Sequence, residues 1–68
     1  SGDRELSRGD ISEAQYLLSR AGFDPMDIDG MIGPNTTRAA RAFQAANRMV
    51  ADGYIGSELL AALRRTRD

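Results

Sequence analysis

Cysteine and histidine are both missing from this 68-residue chain. Without cysteine there can be no disulfide, no thiolate nucleophile and no thiolate zinc site. Without histidine the usual general base, the Ser-His-Asp triad and most catalytic metal sites are excluded. Lysine is absent too, so all nine cations are Arg, a uniformity that reads as codon bias in an Ala-rich chain. Ten acids oppose them, giving a formal net charge of −1 and a pI near 5.2. Domains built to grip polyanions usually have a pI above about 9, so no nucleic-acid partner is expected. No stretch approaches the roughly 18 consecutive apolar residues of a membrane helix. A chain this short buries only about 60% of the surface it exposes when unfolded. Composition alone points away from a conventional enzyme.

What is present is ordinary globular material, 41% hydrophobic and 28% charged. Residues 1–9 are polar apart from Leu6 and read as a flexible extension, with Ser1-Gly2 a cloning scar on a module taken from a longer protein. Asp10-Ile11-Ser12-Glu13 has the form of a capping box. Ile11, Ala14, Leu17, Leu18 and Ala21 follow at the spacing of a half-buried helix, and Gly22 stands where a left-handed residue would end it. The first helix is therefore expected at 11–21. From Asp24 to Gly33 Pro and Gly punctuate a loop, with Ile28 and Ile32 as its apolar anchors. Pro34 suits the first position of a second helix, 34–47, whose inner side carries Thr36, Ala39, Ala40, Phe43 and Asn47. A second loop turns at Gly53 and offers Met49, Val50 and Ile55 to the core. Gly56 or Ser57 caps a third helix, 57–65, with Glu58 early and Arg64-Arg65 late, as the helix dipole favours. The expected fold is all-α: a small closed three-helix bundle with two structured loops, spanning 10–65 and followed by a tail at 66–68. Its core is expected to be Leu18, Ile28, Ile32, Phe43, Ile55, Leu60 and Leu63. No internal repeat is apparent.

One spacing is specific. Ile28-Asp29-Gly30-Met31-Ile32-Gly33 is followed by Thr36 and, seven residues on, by Phe43-Gln44. With Ile11, Ala14-Gln15, Leu18, Gly22-Phe23, Gly53-Tyr54-Ile55, Leu60 and Leu63, this pattern closely resembles the peptidoglycan-binding-like domain family across residues 11–63. The resemblance implies the corresponding PGBD-like helical fold and a shallow groove that holds bacterial cell wall. Four positions depart from the family's usual residues: Ala14 replaces Leu, Ala40 replaces Val, Arg48 replaces the Gly that ends helix two, and Leu59 replaces a Thr. The first two shrink the core, and the last removes a hydroxyl from the neighbourhood of the groove.

Within that frame the candidate ligand-binding residues are Asp29, Asn35, Thr36, Thr37 and Tyr54. The first-turn amides of helix two, at Asn35, Thr36 and Thr37, have no intrahelical acceptors and suit a carboxylate. Asp29 could orient an amine or hydroxyl, and Tyr54 could lend an aromatic edge. A purely structural reading stands beside this one: Gly30 and Gly33 supply turn conformations, Asp29 bonds its own loop amides, Thr36 bonds backbone, and Phe43 is core.

The acidic loop is not an EF-hand. With Gly30 at loop position six, positions one and twelve fall on Pro25 and Thr36, so the first carboxylate and the bidentate Glu are missing. No metal, cofactor or catalytic residue is expected. Arg38, Arg41 and Arg48 form a solvated stripe. The expectation is a non-catalytic, monomeric module on the periplasmic or other extracytoplasmic face of the bacterial envelope. Its partner is peptidoglycan, through stem peptide or glycan, and it anchors a larger protein there. The alternative is a module on the same fold that recruits an envelope protein.

Overall fold

The computed structural model describes residues 4–66. Three helices follow in order: α1 (Arg8–Arg20), α2 (Pro34–Ala46) and α3 (Ser57–Thr66). No strand occurs among the described residues, and none of their helices is long and apolar enough to cross a membrane. Helix α1 packs on both α3 and α2, so the all-α three-helix bundle with two structured loops is the observed architecture. Loop one runs over 21–33 and loop two over 47–56.

Each helix boundary has a local cause. Helix α1 starts a turn earlier than the capping box at Asp10 implied. Ser7 is its N-cap, and its hydroxyl accepts from the Asp10 amide. The supposed partner of Asp10, Glu13, is instead turned to Arg64 on α3 in a bidentate ion pair with both N–O distances 2.8 Å. Of the two capping patterns in the sequence the structure uses the earlier one, at Ser7, and Glu13 is paired with Arg64. At the other end Gly22 has φ +93°, and the amides of Gly22 and Phe23 donate back to Ser19 and Leu18. That pairing is a Schellman closure at the expected residue. Helix α2 starts at Pro34 as expected and ends one residue short, with Asn47 as C-cap. Helix α3 is announced by the Gly56 carbonyl, which accepts from Leu60.

Residues 4–9 do not fray. Glu5 forms an isolated antiparallel bridge with Gly56, and Arg4 exchanges hydrogen bonds with Ser57 at 2.9 and 3.0 Å. Leu6 packs against the core. The strap's polar composition concealed this, because backbone groups make most of its contacts. The scar assigned to Ser1-Gly2 lies outside the described residues. Of the expected tail, Thr66 belongs to α3 and bonds Leu63, and residues 67–68 lie outside the described residues.

The core holds Leu18, Phe43, Ile55, Leu60 and Leu63, as expected, with Leu17, Leu59 and four alanines. Phe23 closes one side, edge-on to Phe43 with centroids 5.8 Å apart. Ile28 and Ile32 are not in it: each is 52% exposed. Val50, at 79% exposed, is not in it either. Loop one meets the core through Phe23 and the buried Pro25, and loop two through Met49 and Ile55, while polar atoms hold the rest of each loop. Ile28, Ile32 and Val50 are left outside, while Ile55 of loop two is buried.

Two non-glycine residues have left-handed backbones, Met26 in loop one at φ +73° and Arg48 at the end of α2. Helix α2 closes with the same six-to-one bond as α1, Met49 N–H to Gln44 C=O at 2.9 Å. The left-handed residue of that closure is Arg48, at φ +60°, and its side chain is exposed. A Cβ in this conformation costs about 1 kcal/mol. Arg48→Gly is expected to raise the melting temperature by roughly 4–8 °C, the equivalent of about 1 kcal/mol in a domain of this size. Thermal unfolding followed by circular dichroism checks this; a lower or unchanged midpoint would contradict the strain.

Candidate functional site

The candidate residues sit on a frame built by one buried amide. Gln15, fully buried on the inner face of α1, reaches into loop one. Its Oε1 accepts from the amides of Asp29 and Gly30, at 3.0 and 2.9 Å. Its Nε2 faces three acceptors: the Met31 carbonyl and the Thr36 hydroxyl at 3.0 Å, and Asp29 Oδ1 at 3.3 Å. A primary amide has two hydrogens and two lone pairs, so this side chain is used to capacity. The loop can approach so closely because residue 30 lacks a side chain. At φ +76°, a Cβ on Gly30 would lie 2.6 Å from Arg8 Cγ and 2.9 Å from both the Arg8 carbonyl and the Ser12 hydroxyl. Gly33 has no such role, being extended at φ −137° with open space where its Cβ would stand.

Loop two repeats the device. Gln44, buried on α2, accepts from the Gly53 amide at 2.8 Å and donates to Asp52 Oδ1 at 3.1 Å. Gly53, at φ +73°, lies against Thr37 and Arg41 as Gly30 lies against Arg8 and Ser12. Arg8, Ser12 and Gln15 have the same helical spacing as Thr37, Arg41 and Gln44. The loops read Asp-Gly-Met-Ile-Gly and Asp-Gly-Tyr-Ile-Gly. The chain therefore does contain an internal repeat, of a loop and the helix anchoring it. Different loop lengths put the two copies out of register in sequence.

The two aspartates share an electrostatic state. Asp29 Oδ1 accepts from the Met31 amide and Asp52 Oδ1 from the Tyr54 amide, both at 2.9 Å. Those backbone bonds, helped by the glutamines, hold each carboxyl below its ordinary value of 3.8. Both remain ionised near neutrality. As expected, Asp29 bonds its own loop.

Two shallow depressions flank the loops. One, of about 200 Å³, lies between loop one and the start of α2 and includes Asp27, Asp29, Met31, Ile32, Asn35 and Thr36. The other, of about 220 Å³, lies between loop two and α3 and includes Met49, Val50, Asp52, Tyr54, Glu58 and Leu59. The structure thus brings Asp29, Asn35 and Thr36 together and places Tyr54 in the other depression. Thr36 is 3% exposed and bonded to Gln15, so its hydroxyl serves the frame rather than backbone. Thr37 lines neither depression, and its amide is consumed by the Gly33 carbonyl. Helix α2 has no side-chain cap, which leaves Asn35 and Thr36 as the amides without an intrahelical acceptor. Among the described residues no group of three or more acidic side chains could hold a metal ion. The residues overlooked in the sequence are Gln15 and Gln44; the signal was a glutamine at an inner helical position together with two Asp-Gly pairs.

Residues 7–63 match the family described as "Putative peptidoglycan binding domain". The chain is similar to a spore cortex-lytic enzyme of Halalkalibacterium halodurans, 39% identical over 57 residues that make up 84% of this chain and 17% of that protein. It is also similar to the crystal structure of SltB3 from Pseudomonas aeruginosa in complex with NAG-anhNAM-pentapeptide. That likeness has a TM-score of 0.85 and 45% identity, covering 88% of this chain and 16% of the other. The chain spans about a sixth of the length of each of these two proteins.

Gln15→Ala would orphan two loop amides and the Thr36 hydroxyl together, so a loss on the order of 3 kcal/mol is expected. Denaturant unfolding measures it, and a loss no larger than that of an exposed-surface variant would show that water replaces the amide. The aspartates make stability pH-dependent. Because their folded pKa values are depressed, their contribution is complete above the unfolded value of about 3.9 and is lost as pH falls through the folded values. The melting temperature should fall as pH drops below about 4. An Asp29→Asn/Asp52→Asn double variant, which keeps both acceptor oxygens, should fall less steeply.

Proposed function

Because the chain belongs to the peptidoglycan binding domain family, we propose that it binds bacterial peptidoglycan without catalysis and anchors a larger envelope protein to the cell wall. The observation that carries the proposal is the match over residues 7–63, which takes in the Gln15–loop one frame and the depression beside it. The relatives' names point the same way: one is a cortex-lytic enzyme, and the other was crystallised with a peptidoglycan fragment. The working place is the extracytoplasmic side of the envelope, in the periplasm where the cell has one. Monomeric action suits a domain this small.

The depression offers the exposed Asp29 and the half-buried Asn35 as polar groups over an apolar margin of Met31 and Ile32. The free amides of Asn35 and Thr36 suit a stem-peptide carboxylate, while Asp29 suits an amine or hydroxyl. The chemistry of the acids supports binding rather than bond cleavage. A general acid needs a raised pKa at working pH, and Asp29 and Asp52 are both lowered. A second reading, recruitment of an envelope protein, is favoured by the exposure of Met26, Ile28, Met31 and Ile32 on one loop.

Purified protein is expected to pellet with insoluble sacculi, weakly and with partial salt sensitivity. Asn35→Ala should weaken pelleting roughly two- to tenfold, the worth of one hydrogen bond, and leave the melting temperature near that of the parent. Folded protein that stays in the supernatant with sacculi of several species would transfer the function to the protein-recruiting reading.

A further inference from the structure

The repeat of loop and helix gives the second depression the same construction as the first, with different chemistry. Asp52, Tyr54, Glu58 and Leu59 stand in it where Asp29, Met31, Asn35 and Thr36 stand in the other. The exchange removes two neutral polar side chains and brings in a carboxylate, an aromatic ring and a leucine. Met49, Val50 and the buried Leu59 supply an apolar wall, and Tyr54 is 43% exposed. Carboxylates of Asp52 and Glu58 border that wall. An apolar wall, an aromatic face and carboxylates together suit a cation carried on methylenes, whose stem lies on the wall while its head meets the ring and the acids. At about 220 Å³ the space is below the roughly 300–1,000 Å³ of pockets for drug-sized molecules, so it takes a side chain rather than a disaccharide.

We infer that this depression is a second binding site, selective for a primary ammonium group on a short aliphatic chain. The inference rests on the wall-binding reading for the source of that group, an unblocked amine in a stem peptide. The two depressions then divide the ligand, carboxylate to the α2 start and amine to the loop two side. The test varies Glu58, because Asp52 Oδ1 is bonded to Gln44 and the Tyr54 amide and helps to hold loop two.

Amide NMR of the isotope-labelled protein, titrated with the peptide Ala-Glu-Lys and with its Nε-acetyl form, tests the site. The free-amine peptide is expected to move the Gly53, Tyr54 and Leu59 signals with a millimolar-range Kd, and the acetylated one to leave them in place. Glu58→Gln should weaken the response roughly two- to fivefold, as for an exposed ion pair, and Glu58→Asp should restore part of it; melting curves of both variants establish that they are folded. Equal shifts from both peptides, shifts confined to residues 29–36, or no shifts would overturn the site. Sacculi with acetylated amines separate the two proposals. Weaker pelleting than with untreated sacculi supports the amine site, and unchanged pelleting overturns it while leaving wall binding intact. If neither preparation pellets the protein, wall binding fails, and the peptide titration alone decides the site.

Discussion

The structure depends on satisfying the backbone of two tight loops that press against helices. A loop amide buried against a helix loses its water, and left unpaired it costs on the order of 1–3 kcal/mol. Gln15 removes that cost at loop one by accepting from Asp29 and Gly30 and donating to Met31, Asp29 and Thr36. A glutamate at this position would bring a charge into a fully buried site and would have no hydrogens for the Met31 carbonyl. Asparagine would be one methylene short. The primary amide on a two-carbon stem answers both demands, and Gln44 answers them again at loop two.

The rest of the packing follows from that arrangement. Alanines at 14, 39, 40 and 62 let the helices approach closely around a few large side chains. Residues 4–7 then act as a strap, joining the start of α3 through Arg4–Ser57 and Glu5–Gly56 and bringing Leu6 onto the core. The Glu13–Arg64 pair ties α1 to α3 at the surface, where solvent screening keeps its contribution small. In so small a domain, hydrogen-bonded loops take over work that a larger hydrophobic core would otherwise do.

Polar anchoring also explains how the domain can bind a ligand. Loops held from beneath by glutamines keep their shape without burying their outward side chains. Ile28, Met31, Ile32, Val50 and Tyr54 remain exposed beside Asp29, Asn35, Asp52 and Glu58. The result is a rigid surface with two shallow, mixed-polarity depressions. Such a surface suits weak recognition of a repeating polymer, where many domains or many sites supply avidity.

Periodicity and punctuation were enough to determine three helices, their order and most of their ends. Leu18, Phe43, Leu60 and Leu63 could be placed in the core because apolar spacing reports burial within a helix; Ile55, in loop two, was placed there as an apolar residue beside the Gly53 turn. The motif from Ile28 to Gln44 carried the resemblance to the family whose model matches residues 7–63. Loop burial was legible only in part: Ile55 was placed in the core, but Ile28 and Ile32 were misplaced because apolar character says little about a stretch held by its backbone, and Gln15 and Gln44 were named in the motif without a role. That Glu13 pairs with Arg64, 51 residues away in sequence, instead of closing a capping box was visible only in the tertiary structure. That Asp29 and Asn35 lie close to the start of α2 was legible in the sequence, and the structure places both in one depression. That Thr36 belongs to the frame, that Thr37 is spent on its own helix, and that Tyr54 faces a second depression were decided by the tertiary structure alone. Hydrogen bonds between distant residues set those roles, and a one-dimensional pattern does not record which distant atoms meet.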